Sequence, residues 1–450
     1  MNPANIETNK LEQIIDLAKK NGASSCEVIQ KSWSENPVSF ENNKLKSLES
    51  NQSKGIAVRL IKNGKIGSAS STDPDALNSL VISAIESSEF GPDATFELTK
   101  ENLNDCRIAI NHDSTVDVPL ETLVERGTSV IDSLKTFHKD LLISGGFDLG
   151  SGETIYLNSN GVHGKKAKSI YSASFSTLLV QDEDFLGIYD GKSNLQDFPD
   201  EKEISKKILE KLNYSRNVIS IETKRYNIVF TPRAVASLFG DILAVILNGK
   251  VVQQKISPLL DKIGKELFDK KLSFTEDPNI GTKATPFDDE GIKTTKKALI
   301  QSGTISSFYF DLSSASKMSS SKDAACYIST GNGFKGSLSA TPSPNLTSLV
   351  IDSGKVNYHD LISNMKEGIL IDQVLGAGQS NTLAGEFNVG IDLGFKIKDG
   401  KIQGRIKNCM IAGNIFELLK NISQISKEQE WTGSTLFPYF MVENMTVAGK

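Results

Sequence analysis

Two dipeptides, Asn63-Gly64 and Asp399-Gly400, do most to limit how this chain can fold. Each stands between strand-like runs: Gly55 to Lys62 and Lys65 to Ser70 flank the first, Phe395 to Lys398 and Lys401-Ile402 the second. Asn, Asp and Gly accept the positive φ that a two-residue type I′ turn demands, so each pair predicts a tight hairpin. Antiparallel sheet is therefore expected in both halves. Apolar spacing adds helices to the first half. Leu11, Ile14, Ile15, Leu17 and Ala18 mark a helix over about 10–20 that Asn21-Gly22 ends. Pro74 opens a second through Leu77, Leu80, Val81 and Ile85, and Leu120, Leu123, Val124, Val130, Ile131 and Leu134 predict a third over 119–139. The C-terminal half carries Gly376, Gly378, Gly385, Gly390 and Gly394 among short runs, which predicts a curved antiparallel sheet or partial barrel. The expected fold class is α+β: N-terminal helix-plus-antiparallel-sheet units followed by a glycine-rich, mainly β C-terminal domain.

At 450 residues the chain exceeds the roughly 250–300 at which one core stops growing. We expect an N-terminal α+β domain over 1–110, a central α+β domain over 111–219 and a mainly β domain over 220–450. A net charge of -5 argues against a phosphate-tracking surface, so no nucleic-acid partner is expected. Short basic runs such as Lys165-Lys166 are expected to be solvated faces. The N-terminus shows neither a basic region nor an apolar one of signal type, and the longest apolar stretch, around Val235 to Leu247, is broken by Ser237, Gly240 and Asp241. A cytoplasmic protein with no membrane partner is expected. Cys26, Cys106, Cys326 and Cys409 lie at least 80 residues apart, a spacing that suits reduced structural thiols rather than a zinc knuckle or a disulfide framework.

The histidines are His112, His138, His163 and His359, and none lies within five residues of another. Neither H-E-x-x-H nor H-E-x-x-x-H can be written. A zinc hydrolase needs paired imidazoles facing one ion and a carboxylate to take a proton from bound water, and this chain offers no such pair.

A series of segments carries a resemblance over roughly 400 residues. Val38 to Leu45, Gly55 to Arg59 and Gly64 to Ser70 come first. Asp288-Asp289-Glu290-Gly291, Gly303-Thr304-Ile305 with Tyr309 and Asp311, Thr330-Gly331-Asn332-Gly333 and the tail Val442 to Gly449 follow in order. In these the chain resembles the TldD/PmbA family, once called modulators of DNA gyrase. The resemblance implies two paired branches, a TldD type with H-E-x-x-x-H on a helix and a downstream metal-binding cysteine, and a PmbA or TldE type without them. Pro232 to Ile242 takes the place of the metal helix, with Ser237, Leu238 and Ile242 roughly where His, Glu and His would stand. Thr231 suits its cap, Pro232 its first position and Gly249 its end. Trp431 to Pro438 holds no cysteine. The PmbA/TldE-like branch is thus implied, with no catalytic residue, no metal ligand and no cofactor in this chain, and with zinc expected only in a TldD-like partner.

Other motifs weigh less. Gly331-Asn332-Gly333-Phe334-Lys335-Gly336 satisfies G-x-G-x-x-G, but Pro342 and Pro344 follow where a helix must begin, so a tight turn lining a groove is expected instead. Asp288-Asp289-Glu290, ending in Gly291, is expected to be a solvated turn. Tyr309 and Asp311 fall on one face of an expected strand end and, with Gly331, Asn332 and Gly333, are the candidate peptide-groove residues. No G-x-S-x-G occurs, and the serine-rich run Ser313 to Ser321 reads as a loop. The function expected is a non-catalytic subunit of a TldD/TldE-type metalloprotease complex acting on unfolded peptides. Exposed sheet edges in the glycine-rich half would hold the peptide by strand addition. The alternative is a self-contained homodimeric peptide-binding or regulatory protein, including an indirect modulator of DNA gyrase.

Overall fold

The computed structural model describes residues 3–103, 118–319, 327–377 and 381–449. His112, Cys106, Cys326, Gly378, Ser320, Ser321 and the boundary at residue 110 lie outside the described residues. Helix α1 (Pro3–Lys20) is followed by β1 (Ser25–Glu35), β2 (Val38–Glu41), β3 (Lys44–Leu48), β4 (Asn51–Lys62) and β5 (Lys65–Ser71). Asn63 at φ 52° and Gly64 at φ 75° turn β4 back on β5 with Lys62 opposite Lys65, as the dipeptide predicts. Helix α2 (Leu77–Glu89) starts after a turn at Pro74, and α3 (Leu120–Lys135) occupies the third helical segment. Strands β6 (Leu142–Asn158), β7 (His163–Gln181) and β8 (Asp184–Asn194) then join the same sheet, which runs β3-β2-β6-β1-β4-β5 with β7 and β8 added beside β6. Strands from either side of residue 110 hydrogen-bond in it, from Glu27 opposite Asn158 to Glu35 opposite Gly150. Leu11, Ile14 and Ala18 of α1 pack with Leu80 and Ala84 of α2 against Val28, Val58 and Leu60.

Among the described residues the C-terminal sheet has twelve strands, and five of them close on themselves. Lys224–Phe230 pairs with Glu367–Leu375, that strand with Glu386–Lys398, that one with Cys409–Asn414, and the ring returns through Thr435–Ala448 to Lys224–Phe230. The expected curved sheet is thus a small closed barrel, and closure leaves these five strands no free edge for strand addition. One of its pairings is parallel, Ile228 opposite Ile369, which an all-antiparallel expectation did not include. Parallel neighbours need a long crossover, and Thr231 to Lys366 supplies it, starting with the helix over Pro232 to Leu247. Alternation sends neighbouring residues to two cores. Ile228 and Phe230 join Phe239, Leu243 and Phe440. Val229 faces the other way, into a core shared by α3, helix α4 (Glu201–Tyr214), Phe147 and Phe175 of the N-terminal sheet, and Phe395 of the barrel.

The serine-rich run is a correction: Leu312–Ser319 is a helix, not a loop. Asp311 caps it by accepting from the Ser314 N–H at 2.7 Å, the local bond that lets a serine-rich segment start a helix. Tyr309 and Asp311 accordingly sit in the irregular segment before this helix rather than on a strand end. Among the described residues, no helix is long and apolar enough to cross a membrane.

Candidate functional site

The barrel strand ending at Phe230 runs into the helix that stands where a metal helix is expected. The Thr231 hydroxyl accepts from the Ala234 N–H and Pro232 occupies the first turn, so the start follows the sequence signals. Its end comes at Asn248, and Gly249 instead opens the next short helix, close enough to Tyr309 for its N–H to donate to that carbonyl at 2.8 Å. Between them, Ala236–Gly240 is a π turn in which the Asp241 N–H donates to the Ala236 carbonyl. Bonding from i to i+5 sets residues five apart about one turn apart, which brings Ser237 and Ile242 towards one side. That is the relation two imidazoles of H-E-x-x-x-H require. The donors do not match it. Leu238 is 1% exposed, Ile242 is 5% exposed, and both belong to the apolar core with Phe239 and Leu243. Ser237 Oγ donates to the Arg233 carbonyl at 3.1 Å. Hydrocarbon and a hydroxyl turned back on its own helix do not fit zinc, and Cys409 Sγ, buried, donates to the Lys407 carbonyl. Arg233 anchors this helix to both sheets: it stacks 3.9 Å over Tyr189, donates to the Tyr189 carbonyl and pairs with Asp190 and Asp372.

Asp288-Asp289-Glu290 overturns the expectation of a solvated turn, for the three residues are 0%, 4% and 0% exposed. They pin the barrel half to the N-terminal sheet. Arg59 of β4, itself buried, donates through Nη1 to Glu290 at 2.9 Å and holds Nε 2.5 Å from Glu27 of β1. Glu27 also accepts from the Tyr156 hydroxyl at 2.9 Å. Lys31 of β1 donates to Asp289 at 2.7 Å. On the other side, Asp288 accepts from the Gly333 N–H at 2.8 Å and Glu290 from the Leu312 N–H at 2.7 Å, at the start of the Leu312–Ser319 helix. Glycine is required at Gly333, where a Cβ would lie 2.2 Å from a Glu290 oxygen, and at Gly291, where φ is 73° and a Cβ would lie 2.4 Å from the Tyr156 ring. Burial pushes the Glu290 carboxyl up to about 7 against the pull of Arg59, and burial with the Glu290 charge holds Asp288 well above the usual range. Asp289 goes the other way: burial opposes its charge, but Lys166 and Lys31 outweigh it.

The candidate groove residues are brought together here, inside the fold rather than along an open groove. The Tyr309 hydroxyl donates to the Ala244 carbonyl at 2.9 Å and Asp311 caps its helix. Asn332, 0% exposed, donates to both Glu276 oxygens and to the Asn345 carbonyl. Gly331 turns at φ 72° against Lys293.

Beside this ionic cluster lies a cleft of about 560 Å³ that sequence reasoning missed. Its floor is β1, β6 and β7, contributing Lys31 and Trp33, Glu153, and Lys166 and Lys168 in turn, and its wall is the segment around Thr285 with Phe334 and Lys335. Lys166 corrects the expectation of a solvated Lys165-Lys166 pair. Lys165 stays half exposed and meets Glu153, whereas Lys166 is turned in, donating to the Phe287 carbonyl at 2.6 Å and to Thr285 at 3.0 Å. The available signal was the period of two: Lys31 and Trp33, like Lys166 and Lys168, share a face in strands. Burial and the neighbouring Arg59 charge push the Lys335 ammonium down to about 8. At pH 8 it is then about half neutral, against well under 1% for an unperturbed lysine. Limited acylation at pH 8, followed by peptide mapping, is expected to modify Lys335 at least about tenfold faster than the exposed Lys44. Equal rates would contradict this assignment of the site.

The family model described as the PmbA/TldA metallopeptidase C-terminal domain matches residues 223–449, and that of PmbA/TldA metallopeptidase domain 1 matches residues 26–88. The chain is 27% identical over 441 residues to an uncharacterised protein of Methanocaldococcus jannaschii, covering 95% of this chain and 97% of that one. It is 24% identical to the metalloprotease PmbA homologue of Buchnera aphidicola, covering 98% and 96%. The metalloprotease PmbA of Escherichia coli O157:H7 is 22% identical, covering 92% and 90%. The crystal structure of TldE from Thermococcus kodakarensis shares the fold, with a TM-score of 0.86 and 24% identity over 98% of this chain and 100% of that one. With one family model spanning half of its length and a second on its N-terminal sheet, this chain belongs to the PmbA/TldD metallopeptidase family.

Proposed function

We propose that this protein is the metal-free, non-catalytic subunit of a two-subunit metallopeptidase, paired with a TldD-like homologue and handling unfolded peptides. One observation carries the reading: in the helix that stands where a metal helix is expected, Ser237, turned back on its own helix, and buried Ile242 take the places of the two imidazoles, and buried Leu238 that of the carboxylate. Zinc chemistry, supplied by the partner, would cut the peptide bond. The residues of this chain bind and position peptide and partner.

An exposed apolar face supports the reading. Leu142, Leu178, Val180, Phe185 and Tyr189 are exposed, and the β6, β7 and β8 registers set them on one face of the sheet. Tyr189 in turn carries Arg233 of the degenerate helix. Co-expression with a TldD-like homologue is expected to yield one complex on size exclusion, with an interface of about 2,000 Å² or more. Phe185→Asp is expected to weaken it at least about tenfold. A monomer at micromolar concentration, with and without the homologue, would contradict the proposal.

A further inference from the structure

The cleft between the N-terminal sheet and the barrel half holds more positive charge than its own carboxylates balance. Among the described residues six lysines line it against two carboxylates, Glu153 and Asp289, an excess of four in a chain whose net charge is -5. Glu153 is taken by Lys165 at the rim, and Asp289 is shared by Lys31 and Lys166. Among the described residues the Lys168 ammonium donates to the Thr282 carbonyl alone, and the Lys335 ammonium makes no hydrogen bond or ion pair. Like charges in a half-enclosed space repel and attract a counter-ion. Burial and the neighbouring lysines push Lys168 down, and burial pushes Lys166 down to about 8, both of which a bound anion would relieve.

Three features define the anion. The volume, about 560 Å³, suits a small ligand or a few residues of an extended chain rather than a folded domain. Trp33, Phe334 and Leu346 add an apolar surface that a bare inorganic anion would leave unused. Among the described residues no arginine lines the cleft, so they supply no bidentate fork of the kind that favours phosphate. We infer that this cleft binds an acidic peptide segment, with its carboxylates on Lys168 and Lys335 and an apolar side chain against Trp33. The choice of a peptide rests on the peptide-handling role proposed above. The charge and shape of the cleft do not.

The test uses the full chain without any partner, so that its failure leaves subunit pairing standing, and failed pairing leaves it untouched. Calorimetric titration is run with an acetylated Leu-Glu-Phe-Asp-Glu peptide, with its Gln and Asn counterpart amidated at the C-terminus, with inorganic phosphate and with ATP. The acidic peptide is expected to bind at least about tenfold tighter than the neutral one, and the K168Q/K335Q double variant to lose about that factor. Binding should quench the fluorescence of Trp33, and W33F should abolish the change. If the double variant misfolds, K335Q alone gives the same reading, because the Lys335 ammonium makes no hydrogen bond or ion pair among the described residues. Equal affinity for both peptides, unchanged affinity in the variant, or tighter binding of phosphate or ATP than of the acidic peptide would overturn the inference.

Discussion

Arg59→Met is expected to destabilise this protein by about 3–5 kcal/mol, the usual cost of breaking a buried ion pair from one side. Arg59 is 6% exposed and serves two carboxylates, Glu27 and Glu290, which are 5% and 0% exposed. Methionine fills much of the space, so the loss is chiefly electrostatic. Glu27 keeps the Tyr156 hydroxyl and Glu290 keeps the Leu312 N–H, but among the described residues neither retains an ion pair. The deficit should also depend on pH. The Glu290 carboxyl is already raised, to about 7 from 4.5, so the folded state holds more protons than the unfolded state between those values. Stability from this group is therefore full below about pH 4.5 and is lost as pH rises through about 7. Removing Arg59 raises the folded value further and steepens that loss. Urea unfolding of wild type and variant at pH 5 and pH 8 is expected to show the larger difference at pH 8. A difference below about 1 kcal/mol at both would mean that the cluster is solvated.

The variant S237H/L238E/I242H is expected to fold poorly, to bind no zinc and to cleave nothing. The π turn gives positions 237 and 242 a suitable relation, so geometry within the helix is not the obstacle. Burial is. A carboxylate at 238 and an imidazole at 242 would enter the core beside Phe239 and Leu243, with roughly several kcal/mol of desolvation uncompensated. A further protein ligand is also lacking, since Trp431 to Pro438 holds no cysteine and Cys409 is engaged with Lys407. Ser237→His alone, at a half-buried position, is expected to be tolerated. Soluble yield, zinc content and peptide cleavage decide the matter. A folded triple variant that takes up zinc and cuts peptides would refute both the packing argument and the non-catalytic role.

What could be read from the sequence is what local chemistry dictates. Asn63-Gly64 and Asp399-Gly400 turn with positive φ at all four residues, whatever the rest of the chain does. Thr231-Pro232 starts its helix for the same local reason. The ionic cluster escaped because its partners are remote. Lys31 is 258 residues from Asp289, Arg59 is 231 from Glu290, and acidic runs are more often solvated than satisfied from such distances. Barrel closure escaped for a related reason, since it depends on one parallel pairing across a crossover of more than a hundred residues. In the lysine-lined cleft each strand supplies an unremarkable alternation, and only the packing of the Thr285 wall over Lys166 turns a charged face into a site.

The most direct measurement is peptidase activity and zinc content of three purified samples: this chain, a TldD-like homologue, and the two mixed. The account predicts no stoichiometric zinc and no cleavage of unfolded peptides by this chain alone, with zinc and cleavage in the mixture. One dialysis-resistant zinc per copy of this chain, or metal-dependent cleavage by it alone, would contradict the account.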